Sequence, residues 1–270
     1  MDAPEDAGFT LYRAESPLLI SVPHAGTALP EDLMTRLTPF ARMLPDTDWH
    51  VEKLYDFAAG LGVTCLFARY SRYLIDLNRD PSGASLYPGM SVTQLCPTTS
   101  FSGETLYAAG DEPGEQEIRE RRARFFEPYH ETLRAELDRL KARHGFAVLL
   151  DGHSIRAEVP RFFAGRLPDL NLGTADGRSC AAALERVAEG VFEASGATWV
   201  KNGRFKGGFI TRSFGVPERG VHALQLEMAQ AAYMDEAPPF PWEATRARPL
   251  QRILERLVIQ LRDWRPSSND

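Results

Sequence analysis

Cysteine is scarce in this chain, and that scarcity excludes two kinds of site. The 270 residues contain three cysteines, Cys65, Cys96 and Cys180, and no two of them form a CxxC pair. An odd and widely spaced set does not make a disulfide framework, and it offers no thiolate cluster for zinc. We therefore expect a cytoplasmic protein whose functional groups are other side chains.

Long apolar runs and an excess of positive charge are missing as well. No apolar run approaches the ~20 residues of a membrane-spanning helix, and the amino terminus, MDAPEDAG, lacks the pattern of a secretory signal. The net charge of −6 argues against a nucleic-acid-binding surface. The chain has neither a GxSxG turn nor a GxxxxGKS/T phosphate loop. We expect no membrane or nucleic-acid partner, although a local group of arginines can still bind a small anion.

Strand-like and helix-like segments alternate along the chain. The predicted strands are 17–23, 63–68, 72–76, 146–150 and 221–228. The predicted helices are 49–61, 115–144 with a bend near Pro128, 178–195 and 244–264. This alternation predicts an α/β fold, a mixed and mostly parallel sheet flanked by helices. A hydrophobic content of 43% allows a sizeable core, and we expect a single domain over 1–270 with its core at about 17–264.

Three further segments read as irregular structure. The longest, 81–114, is rich in Gly, Pro, Ser and Thr. A loop of this length inside a compact domain is usually functional, so it is expected to run over a site, and its closure as a lid is left open. Segment 161–176 is predicted to be a loop, and 198–215 a hairpin or a pair of loops.

Three apolar segments each lead to an isolated polar side chain that can bind a metal or a proton. They are 17–26 with His24, 146–154 with His153, and 221–228 with Glu227. The carboxyl ends of parallel strands meet at one edge of a sheet, where ligands bind. Two imidazoles and a carboxylate at one such edge predict a metal-hydrolase site.

A third metal ligand is expected between the two histidines in sequence. The stretch DTDWH offers Asp46, Asp48 and His50, and we favour Asp48. The alternative is that these acidic residues only cap the helix that follows. Three protein ligands would leave one coordination position open for water, as in catalytic zinc sites.

Glu227 lies in the otherwise apolar run LQLEM. Burial would raise the pKa of its carboxyl group toward the working range of a general base. The alternative is a structural carboxylate that forms a salt bridge with an arginine. His130 and His144 lie on or beside the long charged helix and are expected to be solvated.

Two groups of cationic residues could bind an anionic substrate. Asn78 and Arg79 are adjacent at a predicted strand end, and a guanidinium can bind a carboxylate through two hydrogen bonds. Arg204 and Arg212 lie in the glycine-rich segment 202–212, which could approach an anion closely or form a solvated hairpin.

Several motifs together resemble the N-formylglutamate amidohydrolase (N-formylglutamate deformylase) family. They are spread over about 17–236 and include LLISVPHAG, DTDW, DLNR, DGHS, NGRFKGG and HALQLEM. The resemblance implies a fold similar to zinc carboxypeptidases and aspartoacylases. It implies metal ligation by His24, an acidic residue near 46–48 and His153, with Asn78-Arg79 for a substrate carboxylate and Glu227 as base. One departure is Thr27, which stands where those relatives place the acidic ligand.

The resemblance also implies an activity. It is the metal-dependent hydrolysis of N-formyl-L-glutamate, a small dianion, to formate and L-glutamate, as the last step of a histidine degradation route. Zn²⁺ is the expected metal, although the same ligands suit Fe²⁺, Co²⁺ or Mn²⁺. Arg79 with Asn78 would bind one carboxylate, and Arg212 or Arg204 the other. The alternatives are an amidohydrolase for another N-acyl amino acid and a non-catalytic dicarboxylate-binding protein; the oligomeric state is not predicted.

Overall fold

The computed structural model describes residues 8–84 and 93–267, and its centre is a seven-stranded sheet. The strands are β1 (Phe9–Tyr12), β2 (Leu18–Val22), β3 (Thr64–Ala68), β4 (Ala147–Ile155), β5 (Leu170–Gly173), β6 (Trp199–Lys201) and β7 (Val221–Ala229). Their spatial order is β1-β3-β2-β4-β7-β5-β6. Within this sheet β3, β2, β4 and β7 run parallel to one another, as do β5 and β6. The pairs β1–β3 and β5–β7 are antiparallel, so the predicted mixed, mostly parallel sheet is confirmed.

Helices cover both faces of the sheet. They are α1 (Glu31–Arg36), α2 (Val51–Leu54), α3 (Glu115–Arg121), α4 (Glu127–His144), α5 (Ala182–Glu193), α6 (Phe209–Phe214) and α7 (Ala244–Asp263). Side chains on alternate strand positions point to opposite faces. Thus Val148 and Leu150 of β4 pack with α2, α5 and α7, whereas Leu149 packs with α4 and α6. Every residue of β4 and β7 is buried for this reason.

The long helix predicted at 115–144 is present, with one irregular turn. A π-helical turn at Arg122–Phe126 joins α3 to α4 directly before Pro128. Proline has no N–H for a helical hydrogen bond, which accounts for an interruption at this place. The expectation that His130 is solvated is wrong. Its ring is buried, stacks on Phe126 at 4.1 Å, and donates from Nε2 to the Leu77 carbonyl at 2.8 Å.

Other local predictions are wrong, and each error arises from tertiary contacts. Segment 72–76 contains turns and no strand, and its apolar side chains are buried in the core instead of alternating along a strand. The helix predicted at 49–61 is reduced to α2 and a 3₁₀ turn at Ala59–Leu61. Segment 161–176 contains β5, and 198–215 contains β6 and α6 instead of a hairpin. Because β6 pairs with β5 in parallel, its partner is distant in sequence and local patterns did not indicate it.

The loop at 81–114 carries no helix or strand in its described parts, 81–84 and 93–114, as expected. The lid hypothesis also concerns residues 85–92, which lie outside the described residues. Over 8–84 and 93–267, no helix combines the length and the apolar character that crossing a membrane requires.

Candidate metal centre and active site

Three adjacent strands bring the predicted site residues together. β4 lies between β2 and β7 in the sheet, and His153 is directly opposite Glu227 in the register of β4 and β7. His24 follows the end of β2 by two residues. The expectation that the strands end at the polar groups is wrong for β4 and β7, which continue to Ile155 and Ala229. The site therefore lies on the sheet near its carboxyl edge, within hydrogen-bonded strands.

His24, Asp48 and His153 form a buried triad. One ligand atom from each residue lies within 4.8 Å of the other two. Oδ2 of Asp48 is 3.1 Å from Nδ1 of His153 and 3.8 Å from Nδ1 of His24. The two imidazole rings are 4.9 Å apart. Both Nδ1 atoms thus face the same carboxylate.

A carboxylate holds the far side of each imidazole. Nε2 of His24 is 2.8 Å from Oδ1 of Asp76, and Nε2 of His153 is 3.0 Å from Oδ2 of Asp151. A ring N–H that donates to a carboxylate sets the tautomer and leaves the other nitrogen available to a cation. Burial lowers the pKa of His153, but Asp151 and Asp48 outweigh burial and hold that pKa well above its usual value.

The arrangement of these donor atoms fits a divalent metal ion. Two imidazole nitrogens and a carboxylate oxygen are a ligand set typical of catalytic zinc. Oδ2 of Asp48, the oxygen that faces both rings, also accepts the Ser154 N–H at 3.0 Å. Oδ1 has no hydrogen-bond partner within the described residues, and the buried guanidinium of Arg72 lies 3.6 Å from it. The carboxylate is thus held with one oxygen toward both ring nitrogens, which is the arrangement that a shared metal ion requires.

Asp46 and His50, the alternative ligands, point elsewhere. Oδ2 of Asp46 accepts hydrogen bonds from the Tyr73 hydroxyl and the Phe101 amide, both at 2.8 Å. Nε2 of His50 lies 2.8 Å from the Phe240 carbonyl. Neither acidic residue caps α2, which has no side-chain cap hydrogen bond. The capping alternative therefore does not hold, and Asp48 is the member of this stretch that faces the two histidines.

Glu227 is a buried carboxyl group beside the triad. Burial raises its pKa to about 8. Within the described part of the chain, the nearby Arg72 forms its ion pairs with Asp76 and Asp48 and none with Glu227. Nε2 of Gln225 lies 3.3 Å from Oε2 of Glu227. The pKa places this group near neutrality, where a carboxyl group can accept and return a proton.

The triad and Glu227 line one cavity of about 260 Å³. The cavity is also bordered by Gln225 of β7 and by polar and aromatic side chains from loops: Arg72, Asn78, Arg79, Phe101, Phe162, Arg204 and Phe205. Arg212 is not among its lining residues, and Nε of Arg212 donates to the Gly207 carbonyl at 2.8 Å. Of the two arginines expected in segment 202–212, the structure places Arg204 at the cavity.

Asn78 and Arg79 differ in what they offer a ligand. Oδ1 of Asn78 accepts the Ile210 N–H at 2.8 Å, and its Nδ2 lies 2.9 Å from His153 Nε2 and 3.3 Å from Asp151 Oδ2. Its side chain is therefore engaged with the protein. Arg79 has a side chain that is 26% exposed, and its guanidinium donates to the Thr93 hydroxyl at 2.8 Å. Arg79 is the member of the pair better placed to contact an anion in the cavity.

Arg72 is a site residue that sequence reasoning missed. Its buried guanidinium lies 2.6 Å from Asp76 Oδ2 and 3.6 Å from Asp48 Oδ1, over the ring of Phe101. Burial raises the pKa of Asp76, but Arg72, Arg79 and His24 outweigh it and hold that pKa well below its usual value. The segment YSRYLIDLNR reads as a strand, so no sequence signal showed that Arg72 lies beside Asp48.

The fold and the site together define an α/β protein with a candidate hydrolytic metal centre. A model of the N-formylglutamate amidohydrolase family matches residues 16–234. Two curated relatives are N-formylglutamate deformylases, from Pseudomonas putida (46% identical) and Pseudomonas aeruginosa PAO1 (48% identical). Each alignment spans 96% of this chain and 97% of the relative. The chain belongs to the N-formylglutamate amidohydrolase family.

A solved structure supports the same assignment. The crystal structure of N-formylglutamate amidohydrolase from Ralstonia eutropha JMP134 superposes with a TM-score of 0.81 at 25% sequence identity. The match covers 95% of this chain and 98% of that one. The similarity therefore extends over the entire sheet and its flanking helices.

Proposed function

We propose that this protein hydrolyses the formamide bond of N-formyl-L-glutamate and releases formate and L-glutamate. The observation that carries the proposal is the convergence of His24, Asp48, His153 and Glu227 in one arginine-bordered cavity. Membership of a family whose relatives are named for this substrate supports it. We propose further that the reaction is the last step of a histidine degradation route in the cytoplasm.

His24, Asp48 and His153 would hold one divalent cation, with Zn²⁺ as the proposed metal and Fe²⁺, Co²⁺ or Mn²⁺ as the other ions that suit the ligands. When bound, such a cation polarises a carbonyl group and lowers the pKa of water. Asp76 and Asp151 hold the two rings with Nδ1 toward the ligand position. These two carboxylates would thus set the tautomers and the ring orientations of the metal ligands.

Glu227 would move the proton. It takes a proton from the attacking water, whose oxygen bonds to the formyl carbon. The C–N bond then breaks as Glu227 delivers that proton to the departing amine nitrogen. The second proton of the water, left on the formic acid, then passes to the amine, so that formate and L-glutamate with its ammonium group leave. Because burial raises the pKa of Glu227 to about 8, both proton transfers lie within its range near neutral pH.

Arg79 and Arg204 would bind the two carboxylates of the substrate. Both guanidinium groups border the cavity, and each can bind a carboxylate through two parallel hydrogen bonds. Arg204 lies between the rings of Phe162 and Phe205, at 5.7 and 5.3 Å from their centroids. Asn78 would act indirectly by holding Asp151, and the position of Arg212 outside the cavity lining favours Arg204 for the second carboxylate.

The test is formate release from N-formyl-L-glutamate, with N-acetyl-L-glutamate in parallel. The holoprotein is assayed before and after treatment with a chelator and after each divalent metal is restored. We expect release that is selective for the formyl substrate, is lost on chelation and returns with metal. Equal turnover of the acetyl substrate would support an amidohydrolase for other N-acyl amino acids. Binding of dicarboxylates without any turnover would overturn the enzymatic proposal.

A further inference from the structure

Two amide side chains connect the start of α6 to the catalytic groups. The Gly208 N–H donates to Oε1 of Gln225 at 2.7 Å, and the Ile210 N–H donates to Oδ1 of Asn78 at 2.8 Å. The first N–H groups of a helix have no partner within the helix, so side-chain oxygens commonly satisfy them. Both amides therefore have their oxygen atoms fixed by the backbone.

This contact sets the orientation of the Gln225 amide. A backbone N–H can only donate, so the atom that faces Gly208 must be the amide oxygen, and the NH₂ group must lie on the opposite side. That NH₂ group lies 3.3 Å from Oε2 of Glu227. Gln225 and Glu227 are two residues apart on β7 and so project from the same face of the sheet. The backbone of α6 thereby determines which group Gln225 presents to Glu227.

The backbone at Gly208 packs directly against the side chain of Asn78. A Cβ atom at this position would lie 2.4 to 2.7 Å from the amide group of Asn78. Such distances are too short for carbon, so the main chain here is in direct contact with that side chain. Gly208 is consequently a well-defined anchor for the Gln225 oxygen.

We propose that Gln225 is a positioning residue that holds the Glu227 carboxylate in one orientation toward the cavity. Among the described residues, no other side chain donates a hydrogen bond to that carboxylate. The proposal rests on the function proposed above, in which Glu227 moves the proton. Without the Gln225 donor, the Glu227 carboxylate gains freedom to adopt other rotamers, and the proton acceptor leaves the position from which it faces the cavity.

The expected effect is a loss in kcat with little change in KM. A misplacement of about 1 Å costs on the order of 10- to 100-fold in rate, whereas Gln225 is not assigned to either substrate carboxylate. Gln225→Met keeps the side-chain length and removes both amide groups. Gln225→Glu keeps an acceptor for the Gly208 N–H and removes the amide donor, so it guards against failure of the first variant to fold.

The experiment combines steady-state kinetics with crystal structures of the wild type and both variants. We expect kcat to fall about 10-fold or more, KM to stay within about threefold, and the Glu227 carboxylate to change rotamer while the triad keeps its place. Gln251→Met is the matched control, since Gln251 lies on α7 and donates to the Lys53 carbonyl of α2, away from the cavity. Its kcat and melting temperature should equal those of the wild type.

Two outcomes would overturn the proposal. One is an unchanged kcat in a folded Gln225 variant. The other is an unchanged Glu227 rotamer in the variant structure. If the wild type itself releases no formate, the proposed function fails, and the rotamer comparison still decides whether Gln225 positions Glu227.

Discussion

The two sides of the cavity are built in different ways. On the metal-ligand side, His24 and His153 are each 2% exposed, and each ring is held by a carboxylate behind it. On the opposite side, Arg79 and Arg204 come from loops and are only partly buried. The first side is therefore a buried hydrogen-bond network, and the second is a set of partly exposed guanidinium groups that loop atoms hold, such as the Thr93 hydroxyl and the Phe162 carbonyl.

This difference agrees with what each side is proposed to do. Bond cleavage needs groups held to within a fraction of an ångström, which strands and buried networks provide. Recognition of an anion depends on charge and tolerates adjustment, which loops provide. We therefore expect substitutions on the metal-ligand side to affect kcat or metal binding, and substitutions on the arginine side to affect KM.

The largest effect is expected from Glu227→Gln, which removes the proton acceptor and keeps the size of the side chain. Because a general base contributes about 10²- to 10⁴-fold, kcat should fall by that order while the metal content stays near that of the wild type. Kinetics and metal analysis of the purified variant measure both. Glu193→Gln, on the exposed end of α5, is the control. A near-normal kcat would remove Glu227 from the proposed role.

A second prediction concerns His130, which supports the metal-ligand side by donating to the Leu77 carbonyl between Asp76 and Asn78. Burial lowers the pKa of His130 from 6.5 to about 4. The folded state thus binds this proton more weakly than the unfolded chain does. The stability that His130 contributes is fully present above pH 6.5 and is lost as the pH falls toward 4, by about 3 kcal/mol.

Urea unfolding of the wild type and of His130→Gln at pH 7 and pH 4 measures this effect. Glutamine can donate to the same carbonyl and does not titrate. Between pH 7 and pH 4, the unfolding free energy of the wild type should fall by about 3 kcal/mol more than that of His130→Gln. A difference that does not change with pH would show that His130 is not held neutral by burial.

A third prediction distinguishes the proposed metal ligand His153 from the carboxylate of Asp151, which holds its ring. Asp151→Asn removes the charged acceptor behind His153, and the loss of such a partner typically weakens metal affinity by about 10- to 100-fold. Competition with a chromophoric chelator measures the affinity. Asp138→Asn, on the exposed face of α4, should bind metal as the wild type does. Equal affinities in the two variants would mean that Asp151 does not support the ligand.

The smallest effect is expected on the arginine side. Arg79→Lys keeps the charge and removes the planar fork, so KM for N-formyl-L-glutamate should rise about tenfold with kcat less affected. Arg186→Lys on the exposed surface of α5 tests for a general effect of the exchange. If KM is unchanged in Arg79→Lys, the substrate carboxylate binds elsewhere. If kcat falls while KM does not change, the proposed division of the cavity into a metal-ligand side that sets kcat and an arginine side that sets KM is wrong.

The catalytic and metal-binding candidates were easier to predict from the sequence than the side chains that hold them in place. His24, His153 and Glu227 stand out because each is an isolated polar residue in or beside an apolar run. Asp151 and Gln225 each lie two residues before one of these groups on the same strand, and that spacing was a usable signal for a shared face.

Arg72 and Asp76 offered no comparable signal. They lie in a segment whose apolar pattern predicted a strand but which forms buried turns. The choice of Asp48 over Asp46 likewise depended on the direction of each side chain. Asp46 faces Tyr73 and Phe101, and Asp48 faces the two histidines.

The sequence by itself determined the α/β class, the central strands, the small and widely spaced set of chelating side chains, and the family resemblance. These follow from local periodicity and from motifs, which are properties of neighbouring residues. Only the tertiary structure decided that β4 lies between β2 and β7, which arginines border the cavity, and which end of the Gln225 amide faces Glu227. Those outcomes depend on hydrogen bonds and ion pairs between residues far apart in the chain, whose geometry is set only when both faces of the sheet are packed.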